Sequence, residues 1–394
     1  MTSRFAAALA AIAMLSGLAS CGGGGGGGGG IEGTGAPLGT LRLAITDAPS
    51  CGFDAVNVTI DRVRVNQSGG ASDAAAGWSE IVLSPAKRVD LLTLTNGVLE
   101  PLGQTALPAG KYTQMRLVLA PNTSANPLAN AVTPSGGAET ALTTPSAQQS
   151  GLKINVDIDV PAGQIADFAI DFDACKSIVK RGNSGQYNLK PVISVVPIVS
   201  DAGLRVVGYV DPAIAVGSTL VSVQQGGVPV KATAPDATGR FLLYPVPAGT
   251  YDLVVSAAGR VTATMTGVPV LSGEPTTVNS AALPITPGAT TLRTVSGTVA
   301  PTTATVRALQ AYVGGPTIEA AWAPVDANTG AFAFELPIAA PVRTPFVANP
   351  ATLVFQADSG AAAKYAIEAA SAGALKSQAI DAGAAVPALV FSLP

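Results

Sequence analysis

Apolar residues recur at every second position through most of the chain. Leu41, Leu43 and Ile45 alternate with Arg42, Ala44 and Thr46 before an Asp47-Ala48-Pro49 turn. Val56, Val58 and Ile60 repeat the pattern, which changes phase at Asp61-Arg62 and resumes at Val63 and Val65. The clearest case, GLKINVDIDV, sets Ile154, Val156, Ile158 and Val160 against Asn155, Asp157 and Asp159. A period of two puts successive side chains on opposite faces of a strand. Trp78 to Leu83, Lys111 to Leu119, Phe168 to Phe172 and Leu189 to Val199 read the same way, and no 3.6-residue period is sustained. Residues 38–200 are therefore expected to form an antiparallel β-sandwich of about eight strands.

Punctuation agrees with that reading. Pro-Ala-Gly occurs at 108–110, 161–163 and 247–249, each time ahead of a predicted strand. Pro presets the first turn residue and Gly accepts the left-handed conformation. Gln67 to Gly77 reads as a loop, the stretch from Leu91 to Gly103 as a short helical turn or a strand pair about Asn96-Gly97, and 122–150 as a wandering connection or a short hairpin.

Several motifs in this region carry a resemblance. Thr46-Asp47-Ala48-Pro49, Asp90-Leu91-Leu92 with Asn96-Gly97, LPAGKYTQMRLVL, Pro145-Ser146 with Ser150-Gly151-Leu152-Lys153, Asp171-Phe172-Asp173-Ala174-Cys175-Lys176-Ser177 and Leu189-Lys190-Pro191-Val192 occur in order. Together they resemble the bacterial lipoprotein domain family of unknown function 4382, which implies a fold and a cell-envelope setting and brings no established catalytic role. From Leu204 the texture changes. Asp236-Ala237-Thr238-Gly239-Arg240-Phe241 followed by Pro247-Ala248-Gly249-Thr250-Tyr251 resembles the core hairpin of carboxypeptidase-regulatory, prealbumin-like domains, which implies a seven-stranded, non-peptidase sandwich over 203–285. VSGTVAP and Asp326-Ala327-Asn328-Thr329-Gly330-Ala331-Phe332 echo VVGYVDP and DATGRF, so 293–394 is expected to be a divergent second copy, with an Ala-rich stretch from Lys364 to Gln378 that alternatively holds a short helix.

The N-terminus changes the setting. MTSRFAAALAAIAMLSGLAS has an apolar core short of the roughly 20 residues that span a bilayer, so residues 1–20 read as a secretory signal. Leu18-Ala19-Ser20-Cys21 looks like a lipobox, which makes Cys21 the expected lipidation site, and residues 21–37 with nine consecutive glycines form a flexible tether. Gly22 stands where an Asp would signal inner-membrane retention, which points to the outer membrane, lipid-anchored, on either face. Export into an oxidising compartment makes Cys51 and Cys175 an expected disulfide. The fold class is then all-β: multidomain β-sandwiches with antiparallel sheets behind a lipoprotein signal and glycine tether.

Composition removes function classes. The 394 residues include no His, which excludes Ser-His-Asp and Cys-His catalysis and His-containing zinc sites. The formal net charge is -3 and no basic patch stands out, so nucleic acid is not an expected partner. Ser150-x-x-Lys153 and Ser177-x-x-Lys180 match a two-letter spacing without its helix or partner motifs. Asp157 with Asp159, and Asp171 with Asp173, each share a strand face; were the strands neighbours, their oxygens would suit calcium. The competing reading is a solvated strand face. Arg116 is expected to pair with Asp171 or Asp173, and Asp47 to accept backbone N–H groups in a local turn. Trp78, Tyr112, Tyr187 and Trp322 are platform candidates for sugar or peptide, or else strand cover. The function expected is a non-catalytic envelope lipoprotein, a binding or spacer module for polysaccharide, peptidoglycan or an envelope protein; the alternative is an envelope enzyme acting on carbohydrate.

Overall fold

Alternation decides which residues meet in the first sandwich. In the computed structural model, which describes residues 36–47, 52–145, 150–199, 201–215 and 219–394, strand Leu38–Asp47 lies between Ile165–Phe172 and Glu100–Pro108. Ile193–Pro197 completes this four-stranded sheet. Its inner face carries Leu41, Leu43, Ile45, Phe168, Ile170 and Phe172, all buried. The facing sheet has eight strands, centred on the 14-residue strand Phe53–Asn66 with Gly110–Leu119 and Leu152–Val160 to one side. It contributes Val56, Val58, Ile60, Tyr112, Met115, Leu117 and Ile158 to the same core. Fully burying one such aliphatic side chain is worth about 1.5–3 kcal/mol of transfer from water. The phase change read at Asp61-Arg62 is a bulge: the register of Phe53–Asn66 shifts between Ile60 and Arg62 against both neighbours.

Two expectations need correction. The sheets are mixed, since Leu38–Asp47 runs parallel to Ile165–Phe172, and Tyr187–Leu189 parallel to Thr140–Thr143. Side chains alternate identically in both pairings, so the pattern carries no strand direction. The Ala-rich stretch is no helix: Lys364–Ser371 and Ala374–Asp381 form a hairpin through Ala372-Gly373, both at positive φ. The expected Cys51–Cys175 disulfide involves Cys51, which lies outside the described residues, as Cys21 does; Cys175, the sole cysteine among the described residues, is disulfide-bonded. At that point the sandwich is closed by the parallel ladder and by the Asp47 carboxylate, which accepts the Ala174 N–H at 2.8 Å.

The two later sandwiches share one plan. Numbered within each sandwich, a three-stranded sheet has order 4-1-7 and a four-stranded sheet order 3-2-5-6. In the second sandwich the first strand is Val206–Tyr209; in the third it is Leu292–Ala300. Each opening strand is sealed by the same device. Val210 N–H donates to Gly239 O at 2.8 Å, and Val299 N–H to Gly330 O at 2.9 Å. Both glycines have positive φ, and a Cβ would come 2.1 Å from Val210 O in one and 2.2 Å from Val299 O in the other. The Asp opening each turn, Asp236 or Asp326, accepts the turn's N–H groups.

One segment crosses the boundary. Val342–Pro345, from the third region of sequence, adds parallel to Ala263–Val270 of the second sandwich and carries Gln356–Ala357 with it. The second sandwich's larger sheet thus gains two strands that residues 203–285 do not contain, and residues 37–394 group as one unit.

Candidate functional site

The outer face of the four-stranded sheet is where the chain's charges gather. Because Phe168, Ile170 and Phe172 point inward, Asp167 and Asp171 point outward, and Arg42 meets Asp167 there in a two-pronged pair. The second sandwich docks on the same face. Lys231, on strand Val228–Thr233, places Nζ 2.5 Å from Asp171 Oδ1, with side chains 2% and 11% exposed. Beside it Asn96, in the left-handed conformation that Asn tolerates, donates its N–H to Thr233 Oγ1 at 2.8 Å and accepts Leu242 N–H on Oδ1 at 3.0 Å.

Asp173 lies past the strand end and does different work. Its carboxylate caps the short helix Ala174–Ser177 by accepting Lys176 N–H at 2.9 Å. Lys176 then reaches the third sandwich, with Nζ 2.7 Å from Glu319 Oε1 and 4.9 Å from the Trp322 ring centroid. Glu319 is buried, and its backbone is held by the second sandwich: Glu319 N–H donates to Gln224 Oε1 at 2.8 Å and Gln224 Nε2 to Glu319 O at 2.9 Å. One residue thereby ties all three bodies. Gly182 N–H on Asp326 Oδ2 at 2.6 Å and Tyr312 OH with Thr264 Oγ1 at 2.9 Å extend the joints on either side.

Burial sets the protonation of this region. Asp47, 1% exposed, points into the end of the first core, and burial raises its carboxyl well above the usual range; the Ala174 N–H opposes this, Asp173 and Asp171 add to it, and Lys231 opposes it. Its Oδ2 has no partner among the described residues. Burial likewise lifts Asp173, against the pull of Lys176. Lys190, whose Nζ donates to Ala304 O at 2.6 Å, is lowered by burial to about 8. These groups are acceptors and counter-charges within joints, and each acid or amine is turned toward protein.

The residues singled out from sequence are only partly brought together. Asp157 and Asp159 lie exposed on the other sheet, with Asp157 2.6 Å from Lys111. The four-aspartate calcium site is therefore corrected: Asp157 and Asp159 stand on one sheet, Asp171 on the other and Asp173 past its strand end, and among the described residues no group of three or more His, Cys, Asp or Glu is placed to hold a metal ion. Arg116 does not pair with Asp171 or Asp173. It sits on the opposite sheet, donating to Ser150 O and Ala71 O at 2.9 and 3.0 Å, 3.6 Å from Asp73. Asp47 accepts from Ala174 across the fold, and the turn in which it was expected to accept, 48–50, lies outside the described residues. Lys231, Glu319 and Gln224 were not read from sequence; a lysine inside the apolar strand VPVKAT was the one cue. Tyr112 and Tyr251 are core: each hydroxyl donates to a proline carbonyl, Pro108 O and Pro247 O, at 2.8 Å. Two open concavities, one at Leu83–Arg88 with Pro101–Gly103 and one at Thr303, Thr305 and 370–375, include none of the acidic residues discussed.

Residues 38–191 match the family model described as Domain of unknown function (DUF4382). The N-terminal sandwich is a DUF4382 domain. No curated protein matches the chain. Among solved structures, two interface mutants of a type II cohesin–X-dockerin complex from Acetivibrio cellulolyticus are similar at 24% and 26% identity over 22% of this chain, with TM-scores of 0.20 and 0.18. The chain spans 59% and 58% of those chains. A streptococcal ancillary pilin is similar at 11% identity over 90% of this chain and 98% of its own, with a TM-score of 0.17. The charged joint of Asp171, Lys176, Lys231 and Glu319 is where the DUF4382 domain meets both later sandwiches.

Proposed function

We propose that this is a non-catalytic cell-envelope lipoprotein in which the DUF4382 domain and two carboxypeptidase-regulatory-like, prealbumin-like sandwiches act as one stiff spacer and binding body. The observation that carries the reading is Glu319, held by Lys176 of the DUF4382 domain and Gln224 of the second sandwich while belonging to the third. Charged groups with the burial that catalysis would exploit are spent instead on fastening domains. The repeated hairpin at Asp236–Phe241 and Asp326–Phe332 supports the prealbumin-like assignment. The lipobox ending at Cys21 supports anchoring to the outer membrane, with the glycine run as tether. The partners that suit such a body are polysaccharide, peptidoglycan or another envelope protein, met through sheet edges and loops.

Labelled palmitate tests the anchor. Cells producing the protein should incorporate label into it and deliver it to the outer-membrane fraction, and Cys21→Ser should abolish both. Label retained in Cys21→Ser would refute the anchor.

A further inference from the structure

Gln114 is fully buried and neither end of its amide has a partner among the described residues. It stands on strand Gly110–Leu119 with its side chain on the sheet's outer face, because Met115 and Leu117 take the core side. Arg116, two residues on, is 7% exposed, and its Nε also lacks a partner among the described residues. A buried amide left unsatisfied at both ends forfeits its hydration with nothing in return. Residues 67–78 cover the place. This segment is mostly Gly, Ala and Ser, buries only Ala71, and is held to the sheet by polar contacts: Arg116 to Ala71 O at 3.0 Å, Asn66 Nδ2 to Ala76 O at 3.1 Å, Thr113 Oγ1 to Gln67 O at 2.6 Å and Arg64 to Asp73 Oδ1 at 2.5 Å. A cover with so little apolar contact lifts at small cost.

We propose that the seat beneath residues 67–78 binds one unit of a neutral polysaccharide, the cover lifting to admit it. The chemistry selects that class. The unsatisfied groups comprise donors, Gln114 Nε2 and Arg116 Nε, and an acceptor, Gln114 Oε1, and a hydroxyl serves both kinds at once. Charge is already balanced locally, Arg64 and Arg116 against Asp73 and Glu80, so the guest brings none. Half-buried Trp78, its ring 4.6 and 5.0 Å from the two guanidinium carbons, stands at the rim as a flat apolar plate for a sugar's C–H face. This deepens the binding reading proposed above and rests on it.

Calorimetric titration of the full chain against a panel of neutral oligosaccharides tests the seat, alongside Gln114→Leu and Trp78→Ala. Binding by the wild type that each substitution weakens by at least about tenfold is expected. Gln114→Leu should also raise the thermal midpoint, because replacing an unsatisfied amide with an apolar group of similar size removes a cost. A wild type that binds no member of the panel overturns the proposal, as does a Gln114→Leu variant that loses stability while keeping its affinity. Hydrogen exchange of wild-type residues 67–78 gives a reading free of substitution: oligosaccharide should slow it, and unchanged rates with saturating sugar refute the cover. Palmitate labelling is independent of all these outcomes, so failure of the seat and failure of the anchor are told apart.

Discussion

Lys231 Nζ lies 2.5 Å from Asp171 Oδ1 across the boundary between the DUF4382 domain and the second sandwich, and both side chains are nearly sealed from water. Removing one partner strands the other charge. Lys231→Met alone is expected to cost about 3–5 kcal/mol in denaturant unfolding, and Lys231→Met with Asp171→Leu to restore most of it. Additive losses in that double-mutant cycle would show that the two groups do not act as a pair.

Tyr112 and Tyr251 occupy the same place in two different sandwiches. Each follows Pro-Ala-Gly by one residue and returns its hydroxyl to the carbonyl of that proline. Tyr112→Phe and Tyr251→Phe should each lower stability by about 0.5–1.5 kcal/mol, the net value of a buried neutral hydrogen bond. A far larger loss in one alone would mean the two corners are not equivalent.

Gly239 and Gly330 test the shared plan of the later sandwiches. At each, positive φ and a carbonyl oxygen in the path of any Cβ act together. Gly239→Ala and Gly330→Ala should each be destabilising by about 1–3 kcal/mol from the backbone alone, with the steric contact added. Calorimetry of both variants checks it, and a neutral result at either position would remove that turn from the repeat.

Asp47 predicts a pH dependence. Burial raises its folded pKa above the unfolded value, so the folded state holds the proton more tightly. Its stabilising contribution is complete below the usual carboxylate range, near about 4, and is lost as pH rises through the folded value. Asp173 shifts in the same direction, so Asp47→Asn should flatten the fall in denaturation midpoint between acid and neutral pH without removing it. A wild type whose midpoint climbs steadily over that interval would oppose the assignment.

The sequence made strand faces legible and left what covers them hidden. Ile154, Ile158 and Val160 are buried and Asn155, Asp157 and Asp159 exposed, as their alternation implies. The phase slip at Asp61 marked a real bulge. Alternation also put Asp171 outward, but the lysine that meets it is 60 positions away in another sandwich, and period two says nothing of docking. Strand direction was invisible for the same reason. Residues 342–357 read as part of the third region because sequence proximity was the only guide; their pairing with Ala263–Val270 depends on an open sheet edge that only the folded second sandwich presents.

Small-angle X-ray scattering from the soluble Cys21→Ser protein addresses the central claim directly, that three sandwiches locked at Glu319 behave as one body. The account predicts a profile fitted by a single arrangement of residues 37–394, loosened when Lys176, Lys231 and Glu319 are replaced together by alanine. A wild-type profile that demands an ensemble of independently moving sandwiches would contradict it.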